Sequence, residues 1–250
     1  MKKLLFTLCM IGLTNTLLAQ SELYVTLWYG QVKNADVQEH LELEKEFYSE
    51  MWQEQIDQGN ILGWDMWQIM NPDVNDMTTT FIYATLHTTP TFNVSPMNSI
   101  SGKSDSDWRS AQERQMSHYL KSYSLVTSVK GGYGPQMEGA APPFAVVNYM
   151  AVDPYRFGDY EKAELETFMP MFKESDTTRK GWGLHKILNR GGSDENVNYL
   201  TVDFYDSMET ILSLRDATSQ MSEEDIAMWR EFDDVRKLTN FHIIKLLMHR

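Results

Sequence analysis

Gly63–Ile69 reads GWDMWQI and is followed by Phe81–Leu86, FIYATL, whereas Gly181–Ile187 reads GWGLHKI and is followed by Tyr199–Phe204, YLTVDF. Each residue of the second pair lies 118 positions after its counterpart in the first, without a gap. The identical residues include the Gly-Trp pair, the final isoleucine, Asn71 and Asn189, and Asp76 and Asp194. An apolar strand, a polar turn and a second apolar strand therefore occur twice, as expected of a duplicated unit whose surface has drifted.

The residues around the first copy predict a split β-α-β-β-α-β unit. Leu23–Tyr29 alternates and is rich in β-branched and aromatic residues, which predicts a strand. Residues 35–58 have apolar residues at helical spacing. The two strands of the repeated stretch follow, joined by a turn at Asn71-Pro72-Asp73. Residues 105–121 predict a second, weaker helix, and residues 122–129 predict a fourth strand.

The second copy is surrounded by the same order of elements. Residues 145–152 predict a strand, and residues 161–172 a helix that kinks or restarts at Pro170. After the second strand pair come a short extra helix at residues 206–215, a helix that begins at Ser222, and a last strand at Phe241–Leu247. The chain is thus predicted to hold two similar units.

Four segments follow from this pattern. Residues 1–19 have a basic start and a short apolar run that ends at Ala19, which predicts a secretory signal peptide and a periplasmic or secreted protein. A membrane anchor is the alternative, but Thr14-Asn15-Thr16 interrupts the apolar run too early for a span. The first repeat is predicted at residues 20–130, a Gly/Pro-rich linker at 131–144 and the second repeat at 145–250.

Charge and cysteine content exclude several classes of protein. The chain has 35 acidic and 22 basic residues, a net charge of −13. An acidic surface repels phosphate backbones, so a nucleic-acid partner is not expected. Its one cysteine, Cys9, lies in the predicted signal peptide, so the mature chain has no disulfide and no thiol nucleophile.

Two such units predict an α+β fold in which each four-stranded sheet has helices on one face. The simplest way to bury the other faces is to pack the two sheets against each other within one chain. In this order of elements, with Gly-Trp opening the second strand at Gly63 and Gly181, the sequence resembles the dimeric α/β-barrel (ferredoxin-like) superfamily in its fused tandem form. Within the superfamily it resembles exported bacterial members of unassigned function, of the NIPSNAP and antibiotic-monooxygenase type. The resemblance implies an intrachain α/β barrel that needs no oligomeric partner.

The superfamily does not select one chemistry, since it includes cofactor-free monooxygenases, haem-degrading enzymes, chlorite-dismutase-like proteins and stress proteins. Haem is therefore an open possibility as a cofactor. No zinc or metalloprotease motif is present among the histidines, and no Walker loop, dinucleotide fingerprint or nucleophile elbow is found in the sequence. No metal site is predicted.

Strand alternation predicts which side chains line the space between the sheets. In the third strands, Ile82, Ala84 and Leu86, with their counterparts in the second copy, are predicted to lie under the helices. The opposite set is predicted to line a ligand site: Trp28, Tyr83, His87, Asn148, Tyr199 and Tyr205. A solid, packed interior is the alternative interpretation.

His185 is the sharpest catalytic candidate, because it replaces Trp67 of the first copy and could serve as a haem ligand or a base. Alternation leaves its direction open. His242 and Asp203 form a second candidate, a base and its orienting carboxylate across the lumen. The carboxylates of the first helix, including Glu44, are interpreted as a solvated face.

The leading functional hypothesis is that a small apolar or aromatic molecule binds between the two sheets. The alternatives are a haem-dependent or cofactor-free oxygenase or peroxidase-like enzyme, and a structural or protein-interaction module. The sequence leaves open whether the protein is an enzyme.

Overall fold

The barrel is built from eight strands that alternate in direction. The structure, a computed structural model, describes residues 22–71, 77–91, 102–134, 141–175, 178–189, 197–217 and 222–250. Within these ranges the strands are β1 (Tyr24–Lys33), β2 (Gly63–Ile69), β3 (Thr78–His87), β4 (Tyr119–Tyr133), β5 (Phe144–Val152), β6 (Arg179–Ile187), β7 (Val197–Tyr205) and β8 (Arg236–His249). The predicted signal peptide and most of the Asn71-Pro72-Asp73 turn lie outside the described residues.

The sheet closes in the order β1-β3-β2-β8-β5-β7-β6-β4, with β4 returning to β1 and every pair antiparallel. The first four strands in the chain form one half of the barrel and the last four form the other. The halves meet along two seams, β2 with β8 and β4 with β6. The α+β class and the closed barrel are therefore confirmed, and the two sheets join edge to edge as well as enclosing a shared interior.

The identical asparagines of the repeated stretch explain part of this closure. Asn71, after β2, donates to the Phe241 carbonyl at 3.1 Å and accepts from the Ile243 amide at 2.7 Å, both on β8. Asn189, after β6, donates to the Ser124 carbonyl at 3.2 Å and accepts from the amide of Val126, both on β4. Each asparagine thus ties its own half to the fourth strand of the other half.

We expect Asn71→Ala to destabilise the protein by about 1–3 kcal/mol, because it leaves a strand amide and a carbonyl without their partner at a seam. Urea unfolding followed by tryptophan fluorescence measures the effect. Asn189→Ala, its counterpart at the other seam, should give a change of similar size. Unfolding midpoints of both variants equal to that of the parent would show that these bonds do not contribute to closure.

Helices cover the outside of both halves. In the first half they are α1 (Val37–Leu43) and α2 (Ser49–Asp57), joined by a π-helical turn at Glu44–Tyr48, and α3 (Asp105–His118). In the second half they are α4 (Phe157–Ala163) and α5 (Met169–Ser175), joined by a π-helical turn at Glu164–Phe168, then α6 (Met208–Ala217) and α7 (Glu223–Asp233). Among the described residues, no helix is long and apolar enough to cross a membrane.

The two π-helical turns lie at matching places in the two halves, 120 positions apart. Pro170, where a kink was predicted, is the second residue of α5, and α5 begins directly after the second π-helical turn. The first π-helical turn has no proline nearby, and Glu50 stands at the corresponding position. Proline is therefore not needed for the irregularity, which both halves share.

Several predicted boundaries were wrong. β4 begins at Tyr119, so α3 ends earlier than predicted, and β4 continues through Tyr133, so residues 131–133 are strand and not linker. Gly132 explains this continuation, since a Cβ there would lie 2.5 Å from the Trp182 carbonyl oxygen on β6. Glycine lets the two backbones approach, and the pairing shifts register between Val129 and Gly131.

Candidate functional site

A cavity of about 1010 Å³ occupies the barrel lumen and opens at the end where β1, β2, β5 and β6 begin. This size is at the upper end of the range of small-molecule pockets. Most of the inner wall is apolar, and its side chains come from all eight strands. They are Val25, Leu27, Trp67, Ile82, Ala84, Leu86, Val129, Val147, His185, Val202, Phe204 and Ile244.

In the third strands, β3 and β7, the side chains that face the lumen are those predicted to lie under the helices, and the side chains predicted to face the lumen lie under the helices. Ile82 and Leu200 pack with residues of both halves in the barrel interior. Phe81 and Tyr83 instead pack beneath the helices of the first half, in a cluster that includes Leu41 of α1. The prediction failed because both faces of each strand are buried, so alternation gives no contrast between polar and apolar sides.

The predicted ligand-lining residues consequently lie between sheet and helices. In the first half, Trp28 and Tyr83 contact each other with ring centroids 5.2 Å apart. His87 bonds the Thr26 hydroxyl at 3.0 Å. In the second half, the Tyr199 hydroxyl donates to Glu161 at 2.6 Å.

The remaining predicted lining residues lie beside the helix-side carboxylate Asp203. Asn148 donates to Asp203 at 2.7 Å, and Arg179 forms an ion pair with the same carboxylate at 3.1 Å. Tyr205 accepts from Arg179 at 3.4 Å and packs beside Ile211 of α6. None of the six predicted residues lines the lumen cavity.

The predicted pair of His242 and Asp203 was also wrong. His242 lies on the same face of β8 as Ile244, which packs in the barrel interior, whereas Asp203 lies on the helix-covered side. His242 bonds the Tyr149 hydroxyl through Nδ1 at 2.9 Å. The two side chains point to opposite faces of the sheet, so they cannot act as a base and its carboxylate.

His242 belongs to a polar closure at the end of the lumen opposite its opening. The Tyr149 hydroxyl also bonds the Tyr29 hydroxyl at 2.8 Å, and Tyr29 stacks on Tyr123 with ring centroids 4.5 Å apart. β1 and β5 lie opposite each other, with three strands between them in either direction. The Tyr29–Tyr149 bond therefore crosses the barrel at the end away from the opening.

His185 faces the lumen, which settles the direction that alternation left open. Its Nδ1 is 3.2 Å from the Thr127 hydroxyl, and that hydroxyl donates to the Val25 carbonyl at 3.0 Å. Because a hydroxyl has one proton to donate, Thr127 must accept from Nδ1–H. Burial lowers the pKa of His185 to about 4, so near neutral pH the ring is uncharged and Nε2 carries a lone pair.

Two neighbours define the space around this lone pair. Gly183, two residues earlier on β6, has no side chain, and a Cβ there would lie 3.1 Å from Nε2. Nε2 makes no hydrogen bond within the described ranges. Trp67, the counterpart of His185 in the first half, lies on β2, which is four strands away in either direction. An indole and an imidazole acceptor thus stand on opposite walls of the lumen.

A second polar cluster lies beneath α1 and was missed by the sequence analysis. The Tyr83 hydroxyl bonds His40 Nε2 at 2.6 Å, and Gln115 of α3 donates to Glu44. Glu44 is 2% exposed, so the interpretation of this carboxylate as solvated was wrong. Burial raises the pKa of Glu44 to about 8 and lowers the pKa of His40 to about 3.

The π-helical turn does not explain why Glu44 was assigned to the solvated face. Glu44 is the first residue of the turn, so the wider turn shifts only the residues after it. Glu44 was assigned to solvent because it is a carboxylate, although it lies at helical spacing from Val37 and Leu41. Glu164 opens the matching turn in the second half and is also buried. Its pKa is raised to about 7, mainly by burial.

The side chains of these clusters do not supply the ligands that a metal centre needs. Among the described residues, no group of three or more His, Cys, Asp or Glu side chains could hold a metal ion. The lumen, with its apolar wall and one positioned imidazole, is therefore the candidate site for an organic molecule.

Comparison with solved structures identifies proteins that share this fold. No family model matches the sequence, and no curated protein matches it. A monooxygenase-like protein from Fusobacterium nucleatum superposes with a TM-score of 0.56 at 12% identity, over 92% of this chain and 94% of that one. A monooxygenase-like protein from Lactobacillus acidophilus gives 0.54 at 9% identity, over 90% and 93%. An anthrone oxidase-like protein gives 0.52 at 14% identity, over 92% and 93%. At such identities the similarity shows a shared fold.

Proposed function

We propose that the protein binds a small aromatic molecule with a hydroxyl or N–H group inside the barrel lumen. The observation that carries this proposal is the lone pair of His185 Nε2, held by Thr127 and directed into an apolar cavity of about 1010 Å³. The apolar wall favours an aromatic body, and an uncharged acceptor favours a ligand that donates a hydrogen bond.

Displacement of a fluorescent probe tests the proposal. N-phenyl-1-naphthylamine is uncharged and emits strongly only when it leaves water, so its emission reports occupancy of an apolar cavity. We expect 2-naphthol to displace it at about five- to tenfold lower concentration than naphthalene, as expected for one hydrogen bond. His185→Leu should remove the difference between the two competitors while the probe still binds.

A matched control is His87→Asn, which changes a histidine on the helix-covered side. This variant should retain the preference for 2-naphthol, provided that its melting curve shows a folded protein. Absence of probe binding to the parent protein would contradict the proposal.

We further expect Gly183→Ala to weaken 2-naphthol binding about as much as His185→Leu does, without changing naphthalene binding. The added methyl would lie 3.1 Å from His185 Nε2 and would cover the lone pair. Isothermal titration calorimetry with both compounds measures this. An unchanged affinity for 2-naphthol would mean that Nε2 is not the acceptor.

A haem-dependent oxygenase or peroxidase is the second candidate, and the same lone pair favours it. A neutral imidazole with Nδ1 bonded to a fixed acceptor is the form in which histidine binds iron. His185 would hold haem through Nε2, and Thr127 would fix the tautomer. Haem, when bound, would supply redox chemistry at its iron. Expression with haem supplied tests this, and a Soret band that is lost in His185→Ala would support it.

We propose that the protein is exported and that its halves descend from one duplicated unit. The basic and apolar start of the sequence supports export, and a mature chain that begins at Gln20 in mass spectrometry of the natural protein would test it. Support for duplication comes from the seam asparagines Asn71 and Asn189 and from the matching π-helical turns.

A further inference from the structure

The mouth of the lumen carries a concentration of basic side chains. Lys130 of β4, Lys173 of α5 and Lys180 of β6 all line it. Two acidic residues, Glu22 and Asp65, line the same mouth. In a chain with 35 acidic and 22 basic residues, three lysines against two carboxylates is a local reversal of charge.

The acidic side chains at the mouth already have partners. Asp65 bonds His249 Nδ1 at 2.5 Å, and Glu22 accepts from the Tyr24 hydroxyl. Lys180 forms an ion pair with Asp206 at 3.0 Å. Lys130 and Lys173 have neither an ion pair nor a hydrogen bond within the described ranges. The ammonium groups of Lys130 and Lys173 are therefore available to pair with an anion at the opening.

The wall deeper in the lumen cannot accommodate a charge. Leu27, Ile82, Val147 and Phe204 are apolar, and His185 is uncharged near neutral pH because burial lowers its pKa to about 4. Moving a carboxylate into such surroundings without a partner is strongly unfavourable. A ligand that carries a negative charge must therefore keep its charged end at the mouth and place its apolar body inside.

We propose that the ligand of the lumen is an aromatic carboxylic acid whose carboxylate lies between Lys130 and Lys173 at the mouth. This inference rests on the proposed function, since it specifies the ligand of the same cavity. The hydroxyl or N–H donor of the aromatic body would meet His185, and the acid group would meet the two lysines.

The test compares 6-hydroxy-2-naphthoic acid with its methyl ester, which has the same ring and hydroxyl without the charge. At low salt we expect the acid to bind about fivefold more tightly than the ester, the size expected for two solvent-exposed ion pairs. Lys130→Ala combined with Lys173→Ala should remove this preference and leave ester binding unchanged. Lys162→Ala, which changes an α4 lysine that pairs with Glu166 at 4.0 Å, is the matched control and should retain the preference.

Salt provides an independent readout. The preference for the acid should decrease as sodium chloride is raised from about 20 mM to about 500 mM, because exposed ion pairs are screened. Equal binding of acid and ester to the parent protein at low salt would overturn this inference and leave the proposed function intact. Failure of the acid, the ester and the neutral probe to bind would overturn both.

Discussion

Ala84→Trp is expected to weaken binding of N-phenyl-1-naphthylamine by at least about 100-fold, a loss of about 2.7 kcal/mol. Ala84 lies on β3 and faces the lumen cavity, opposite Leu27 and Asp65 on the neighbouring strands. An indole there would occupy space that the ligand needs. Fluorescence titration measures the loss.

The same variant should remain folded, because the new side chain enters existing space and does not displace packed neighbours. Thermal unfolding should show a midpoint within a few degrees of the parent. Ser124→Trp, at an exposed position of β4, controls for the added indole and should bind the probe normally. If Ala84→Trp bound the probe as the parent does, the lumen would not be the ligand site.

The second large effect is a loss of stability as the pH rises from 6.5 to 8.5. Glu44 holds its proton in the folded state up to about pH 8 and Glu164 up to about pH 7, whereas in the unfolded chain both release it near pH 4.5. The folded state therefore binds more protons, and each such group costs about 1.4 kcal/mol per pH unit until its folded pKa is passed. The sum over this window is about 2–3 kcal/mol.

The range from pH 6.5 to 8.5 isolates the glutamates, because buried histidines change the stability in the opposite direction at lower pH. The pKa of His40 is lowered to about 3 and that of His185 to about 4. Both histidines therefore lower the stability of the folded state as the pH falls below about 6.5. Between pH 4.5 and 6.5 the two pairs of groups oppose each other. Above pH 6.5 only the glutamates contribute among these four.

Urea unfolding at a series of pH values measures the change. Glu44→Gln should remove most of the loss above pH 7, since an amide can still accept from Gln115 but cannot ionise. Glu42→Gln, at an exposed position on α1 two residues before Glu44, should behave as the parent. A loss of stability that is the same in Glu44→Gln as in the parent would mean that Glu44 is already ionised at neutral pH.

The architecture could be predicted from the sequence because it depends on order and repetition. The constant spacing between the Gly63–Ile69 and Gly181–Ile187 stretches indicated two similar units, and the order of strands and helices around them indicated how each sheet forms. These features do not depend on which side of a strand faces inward.

The location of the candidate site could not be predicted, because it depends on which face of each strand points into the barrel. Ile82 and Tyr83 are adjacent and both buried, so composition gives no reason to choose which one faces the lumen. Glu44 was missed for a different reason, since it was assigned to solvent by its charge although it lies at helical spacing from Val37 and Leu41. His185, which lines the lumen, could be selected as a candidate because it breaks the match between the two halves, a comparison within the chain that needs no knowledge of strand direction.

Closure of the barrel has a consequence for self-association. Each of the eight described strands has a neighbour on both sides, but the pairing is incomplete at the seams, because β4 pairs with β6 only from Thr127 onward and β8 pairs with β2 only from Ile244 onward. Opening either seam would expose two long edges at once, β2 with β8 or β4 with β6. Asn71 and Asn189 bond to β8 and β4 just before the paired segments, so they occupy backbone groups that another strand could otherwise bind.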